Sequence, residues 1–133
     1  MTDRDQEIIG RLRRAYEAYN RGDFDGAKEI AHPDIEFVRA GGQATLVGSD
    51  ALRAWMEPDA FEEMEIELCE IRINGNQFLV RQHSRARGAG SGIEMDADFW
   101  VVWTVDSSGL ARRVESFFAH QRKEAFAAAG LSE

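Results

Sequence analysis

The stretch Met64-Glu-Ile-Glu-Leu68-Cys69-Glu-Ile71-Arg-Ile73-Asn74-Gly75-Asn76 decides how the rest of the chain is read. Met64, Ile66 and Leu68 are apolar at even positions, whereas Cys69, Ile71 and Ile73 are apolar at odd ones. Side chains of a strand alternate between two faces, so the change of phase between Leu68 and Cys69 predicts a β-bulge that bends a long strand. Asn74-Gly75 then supplies the positive φ of a tight hairpin turn.

Downstream, strands are predicted over residues 77–87, 93–105 and 110–119, joined by the Gly-rich 88–92 loop and by Asp106-Ser-Ser-Gly109. Pairing the first two across the loop sets Arg87 opposite Glu94, Arg85 opposite Asp96, His83 opposite Asp98 and Arg81 opposite Trp100. That is a ladder of opposite charges with a cation over a ring, each contact contributing tenths of a kcal/mol. On the other face, Gln82 and Ser84 stand with the apolar run Ile93, Met95, Ala97, Phe99, Val101, Trp103 and Val105. Continuing the alternation into the last strand adds Leu110, Arg112, Val114, Ser116, Phe118 and His120 to that inner side.

Upstream the period is helical. Ile8, Ile9, Leu12, Ala15, Tyr16 and Tyr19 recur at three- and four-residue steps up to Gly22. Asp23 caps a second short helix carrying Phe24, Ala27 and Ile30, which Pro33 should close. A strand follows over 35–39, Gly41-Gly42 is turn chemistry, and residues 44–47 pair back. Ser49 or Asp50 opens a third helix with buried face Leu52, Trp55 and Met56, ended by Pro58. Helical spacing returns around Phe126, before Gly130.

The 133 residues suit one domain with one core, and 44% apolar with 30% charged residues is a globular balance. A net charge of −8 argues against nucleic acid and anionic membrane as partners. Cys69 is the single cysteine, so neither an internal disulfide nor a cysteine zinc pair forms. The acidic N-terminus lacks a signal-peptide pattern, and a cytoplasmic location is expected. No cofactor or metal is expected, because no His, Asp or Glu pair sits at ligand spacing on the inner face.

With Tyr19-Asn-Arg-Gly-Asp-Phe-Asp-Gly26 between the first helices, Val47-Gly-Ser-Asp-Ala-Leu52 opening the third, and the tail Glu124-Ala-Phe-Ala-Ala-Ala-Gly-Leu131, nearly the whole chain resembles the nuclear transport factor 2-like (NTF2-like) superfamily. It looks closest to the SnoaL-like and ketosteroid-isomerase-like branch. The resemblance implies an α+β fold over 1–133: a cone of curved, mixed or mainly antiparallel sheet, closed by three helices of the N-terminal half around a cavity (a cystatin-like α+β barrel). It also implies a homodimer through the sheet. Members include isomerases, cyclases, dehydratases, epoxide hydrolases and non-catalytic binding modules, so the fold alone does not choose. Aligned through the Asn20-x-Gly22-Asp23-x-Asp25 turn, the isomerase's tyrosine, aspartate base and aspartic acid fall on Ala15, Arg39 and Val101, so that triad is not retained.

Two function classes follow for a small hydrophobic ligand in the cavity. In the first, acid/base chemistry of isomerase, cyclase or lyase type acts on a carbonyl compound. His120 would exchange the proton and Arg39 would stabilise the anion. Gln82, Ser84 and Ser116 would orient polar atoms, and Tyr16, Trp55, Phe99 and Trp103 would form the walls. In the second, the domain binds without turnover, or dimerises through an outer face built on Leu79, Trp100, Val102 and the charge ladder.

Overall fold

The computed structural model of the chain describes residues 2–40, 45–56, 61–88, 90 and 92–133, apart from the side chains of Trp55 and residues 61–63. Helix α1 (Asp3–Asn20) starts at a capping box in which Thr2 and Asp5 each bind the other's backbone N–H, and it buries Ile8, Leu12, Ala15 and Tyr16. Gly22, at φ 79°, turns the chain. Asp23 then caps α2 (Phe24–Ala27) by accepting from Gly26 N at 2.9 Å. Gly26 is required there, since a Cβ would stand 2.4 Å from the capping carboxylate. Asn20 acts outward from the same turn. Its amide donates to Ile66 O and accepts from Ile66 N, both at 2.8 Å, and so holds the free edge of a distant strand against α1.

Six strands follow: β1 (Ala31–Val38), β2 (Leu46–Val47), β3 (Phe61–Asn74), β4 (Gln77–Gly88), β5 (Glu94–Val105) and β6 (Ala111–Phe118). Helix α3 (Ser49–Met56) lies between β2 and β3, and α4 (Arg122–Ala128) closes the chain. The sheet order is β2-β1-β6-β5-β4-β3, antiparallel except for β1 with β6. This is the expected α+β cone, with α1, α2 and α3 on its concave side. No helix among the described residues is long and apolar enough to cross a membrane.

The bulge falls where the phase change puts it. Leu68 pairs with Gln82 and Glu70 with Arg81, leaving Cys69 as the extra residue. The β4–β5 register is also the expected one, from Arg87 opposite Glu94 to Arg81 opposite Trp100. Pro33 is a correction, because it does not end a helix. It lies inside β1, where the pairing with β6 jumps between Ala31 and Glu36, a break in the ladder that tolerates a residue without an N–H. Gly41-Gly42, Ala44 and Pro58 lie outside the described residues.

A second bulge overturns the inner face expected of β6. Thr104 pairs with Arg113 and Val105 with Ala111, so Arg112 is extra and the alternation shifts. Ala111 and Val114 are both buried, whereas Arg112 is exposed and donates to His32 Nε2 at 2.9 Å. Val114 and Ser116 of the expected row border the interior, and Phe118, exposed at the strand's end, packs on the Phe99 ring at 6.2 Å.

The outer face corrects the expected dimer surface. Leu79, Trp100 and Val102 are buried under the chain's own tail, against Ala125, Phe126 and Ala129. Arg122 lies over the rings of Trp100 and Phe126, at 5.4 and 4.7 Å. Asn74 and Gln77 donate to the carbonyls of Ala129 and Ala128, at 2.9 and 3.0 Å, and satisfy the helix end. Arg81 therefore turns to Glu70 (3.8 Å) rather than Trp100, and His83 binds both Asp98 (2.5 Å) and Asp96. Arg85 has no ion-pair partner among the described residues, because the Asp96 carboxylate opposite it goes to His83.

Two outcomes are expected in urea unfolding. Phe126→Ala should cost about 3 kcal/mol, as for a fully buried aromatic. Asn20→Ala should cost about 1 kcal/mol through its lost pair of edge hydrogen bonds, and wild-type stability in that variant would remove Asn20 from its role.

Candidate functional site

Between α1, α3 and the concave face lies a cavity of about 430 Å³. Its wall is mostly apolar, with Leu52, Phe37, Ile66, Phe99, Val101 and Trp103 among the lining groups. The bends at Cys69 and Arg112 curve the sheet over α1, which contributes Ala15, Tyr16 and Tyr19. A second, more open cleft of about 760 Å³ adjoins the mouth and shares Tyr19, Met64, Ala86, Met95 and Asp96 with the cavity.

Of the residues expected at the site, Tyr16, Arg39, Gln82, Ser84, Phe99, Trp103 and Ser116 all border this cavity. The side chain of Trp55 lies outside the described residues. His120 is a correction. β6 ends at Phe118, and residues 119–121 form a short 3-10 turn on which His120 is exposed, stacked on the Phe118 ring at 5.8 Å and absent from the cavity wall. Alternation had carried His120 inward only because it was extended past the strand's end. Tyr19, Met56 and Met64 also line the cavity without having been singled out. Tyr19 and Met56 sit on the apolar stripes of their helices and Met64 on the inner parity of β3, so the signal was present.

The polar atoms form a short chain. Tyr16, only 6% exposed, donates its hydroxyl to Gln82 Oε1 at 2.8 Å, and Gln82 Nε2 donates to Ser84 Oγ at 3.2 Å. The phenol's need for an acceptor fixes which way the Gln82 amide faces. Ser84 is left with its own O–H to donate. Burial pushes the Tyr16 phenol well above the ordinary tyrosine value, and the nearby Trp103 indole N–H opposes part of that rise. The two rings lie 6.4 Å apart. That indole nitrogen is nevertheless buried with no partner at hydrogen-bond geometry, and so is Arg39 Nε.

Ala15, Arg39 and Val101, where the resemblance places the isomerase groups, all border the cavity. None of them exchanges a proton near neutrality. Asp96 also borders it, but its carboxylate is bound to His83. Among the described residues no group of three His, Cys, Asp or Glu side chains is placed to hold a metal ion.

Comparison with known proteins agrees with the fold. No protein of curated function matches the sequence. An NTF2-like protein of unknown function from Burkholderia pseudomallei K96243 is similar, at 23% identity and a TM-score of 0.75 over 92% of this chain and 96% of that one. So is TerC, co-crystallised with polyporic acid, at 22% identity and a TM-score of 0.73 over 92% and 96% of the two chains. SalBIII, an epoxide hydrolase/cyclase-like enzyme with a role in pyran ring formation in the polyether salinomycin, gives 18% identity and a TM-score of 0.78 over 90% and 95%. With the SnoaL-like domain model matching residues 12–114, the chain belongs to the SnoaL-like domain family and has its NTF2-like, ketosteroid-isomerase-like fold.

Proposed function

We propose that this domain binds a small, mostly apolar molecule in the cone cavity and holds it by its oxygen acceptors. One observation carries the reading. The cavity is walled by apolar groups, and the polar atoms left over there, Ser84 O–H, Trp103 N–H and Arg39 Nε–H, are donors. Buried donors without partners cost free energy, which a ligand bearing acceptors recovers. A volume of about 430 Å³ lies within the range of about 300–1,000 Å³ typical of small-molecule sites.

Binding without turnover takes precedence over acid/base chemistry on a carbon acid, since His120 stands outside and no free carboxylate faces the cavity among the described residues. A second reading rests on Tyr16. Kept protonated by burial, the phenol would polarise a carbonyl or ether oxygen for ring closure once its O–H swings from Gln82 Oε1 to the ligand. The similarity to SalBIII favours that chemistry over proton abstraction. A homodimer through the sheet, the remaining arrangement the family resemblance implies, would have to use the exposed charged rows around Arg85 and Arg87, because α4 occupies the apolar patch.

The neutral fluorophore N-phenyl-1-naphthylamine should bind saturably to the wild-type protein. Ser84→Phe should abolish that binding by filling the cavity, with circular dichroism unchanged; equal binding by both proteins would place the ligand site elsewhere. Alkaline titration followed at 295 nm tests the phenols. Burial raises both Tyr16 and Tyr19, the chain's 2 tyrosines, above their model-compound value of 10.0. No phenolate signal should therefore appear near pH 10 while the fold persists. The protonated phenols contribute stability fully below pH 10, and that contribution is lost as pH climbs through their raised folded values, because the unfolded chain ionises first.

A further inference from the structure

Arg39 is the one cation bordering the cavity among the described residues, and none of the described carboxylates pairs with it. It follows the last paired residue of β1, Val38, which lies beside Glu115 of β6. The two acids nearest along those strands point to the outer face and are taken by another arginine: Arg113 binds Glu36 at 2.9 Å and Glu115 at 3.7 Å. Asp96 across the mouth is held by His83. In a chain with 24 acids against 16 Lys and Arg, an arginine facing an apolar void without a carboxylate is a specific vacancy in the charge pattern. Its Nε is sealed from solvent and unpartnered. That nitrogen belongs to the side of the guanidinium fork that grips a carboxylate with two parallel hydrogen bonds. Ser116 stands in the next row of β6, one residue past Glu115, and borders the same cavity with a hydroxyl free to donate to the same group.

We infer that the ligand is an apolar monocarboxylate, its carboxylate held by the Arg39 fork and Ser116 hydroxyl while its hydrocarbon body lies against Phe99, Val101 and Trp103. The inference deepens the binding reading above and rests on it. An unpaired guanidinium at a dry wall penalises a neutral apolar guest, which would bury it further, and rewards an anion. Arg39 is thus a specificity-determining residue.

The test compares 2-naphthoate with its methyl ester by isothermal titration calorimetry, and each by displacement of N-phenyl-1-naphthylamine. The acid should bind wild-type protein about 10-fold or more tightly than the ester, the factor expected of a charge-assisted bidentate pair. Arg39→Gln should remove that advantage, lowering acid affinity far more than ester affinity, and Arg39→Lys should restore only part of it. Ester binding as tight as acid binding in the wild type, or an equal loss of both in Arg39→Gln, overturns the anion assignment and leaves the cavity reading standing. If neither probe displaces the fluorophore from a site that Ser84→Phe blocks, the anion assignment falls. If neither the fluorophore nor 2-naphthoate nor its ester binds, the cavity reading falls and takes the assignment with it.

Discussion

The concave side of this sheet rests on the extra residue at Cys69 in β3. Without the bulge at Cys69, the strand from Phe61 to Asn74 would hold one phase, and half of its apolar residues would face water. The bulge rotates the strand so that Met64, Ile66 and Leu68 before it and Ile71 and Ile73 after it all meet the same interior. The same event at Arg112 lets Ala111 and Val114 share that interior from β6. A bent sheet cannot be filled by helices along its whole length. α1 reaches the deep end, where Ile8 and Leu12 are fully packed, and the volume left toward Tyr16 and Tyr19 is the cavity.

The two faces are closed by different means. On the concave side, Asn20 ties the end of α1 to β3, Asp23 caps α2, and Arg53–Asp25 at 2.7 Å joins α3 to α2. On the convex side, α4 caps the lower half with Phe126 set edge-on against Trp100, 5.4 Å between centroids. The upper half is left as alternating columns of acids and bases around His83, exposed and worth little individually. This division explains why the charged residues, 30% of the sequence, contribute little to the interior, and why the interior's few polar atoms matter. They are isolated, directional and mostly donors.

The chemistry follows from that isolation. Tyr16, Gln82 and Ser84 pass hydrogen bonds in one direction and end at a hydroxyl with a proton to give. In the alignment that the family resemblance implies, Arg39 stands where the isomerases carry their aspartate base, and puts a cation there instead. A site of this kind favours what accepts hydrogen bonds and carries negative charge, whichever reaction, if any, follows.

Local pattern determined most of the architecture: the phase flip at Cys69, the Asn74-Gly75 turn, the β4–β5 register and the helical stripes are all properties of neighbouring residues, and short-range periodicity reports them directly. It also placed Gln82, Ser84, Phe99, Trp103 and Ser116 on one side, because alternation holds while a strand continues, and Tyr16 on the apolar stripe of α1. Where a strand ends or slips is set by its partners across the sheet, so alternation alone sends His120 and Arg112 inward, and local pattern alone makes Pro33 a helix stop. That Trp100 is covered by Phe126, and that none of the described carboxylates reaches Arg39, depends on which distant groups arrive alongside. Sequence spacing cannot carry that information, and only the assembled tertiary structure decides it.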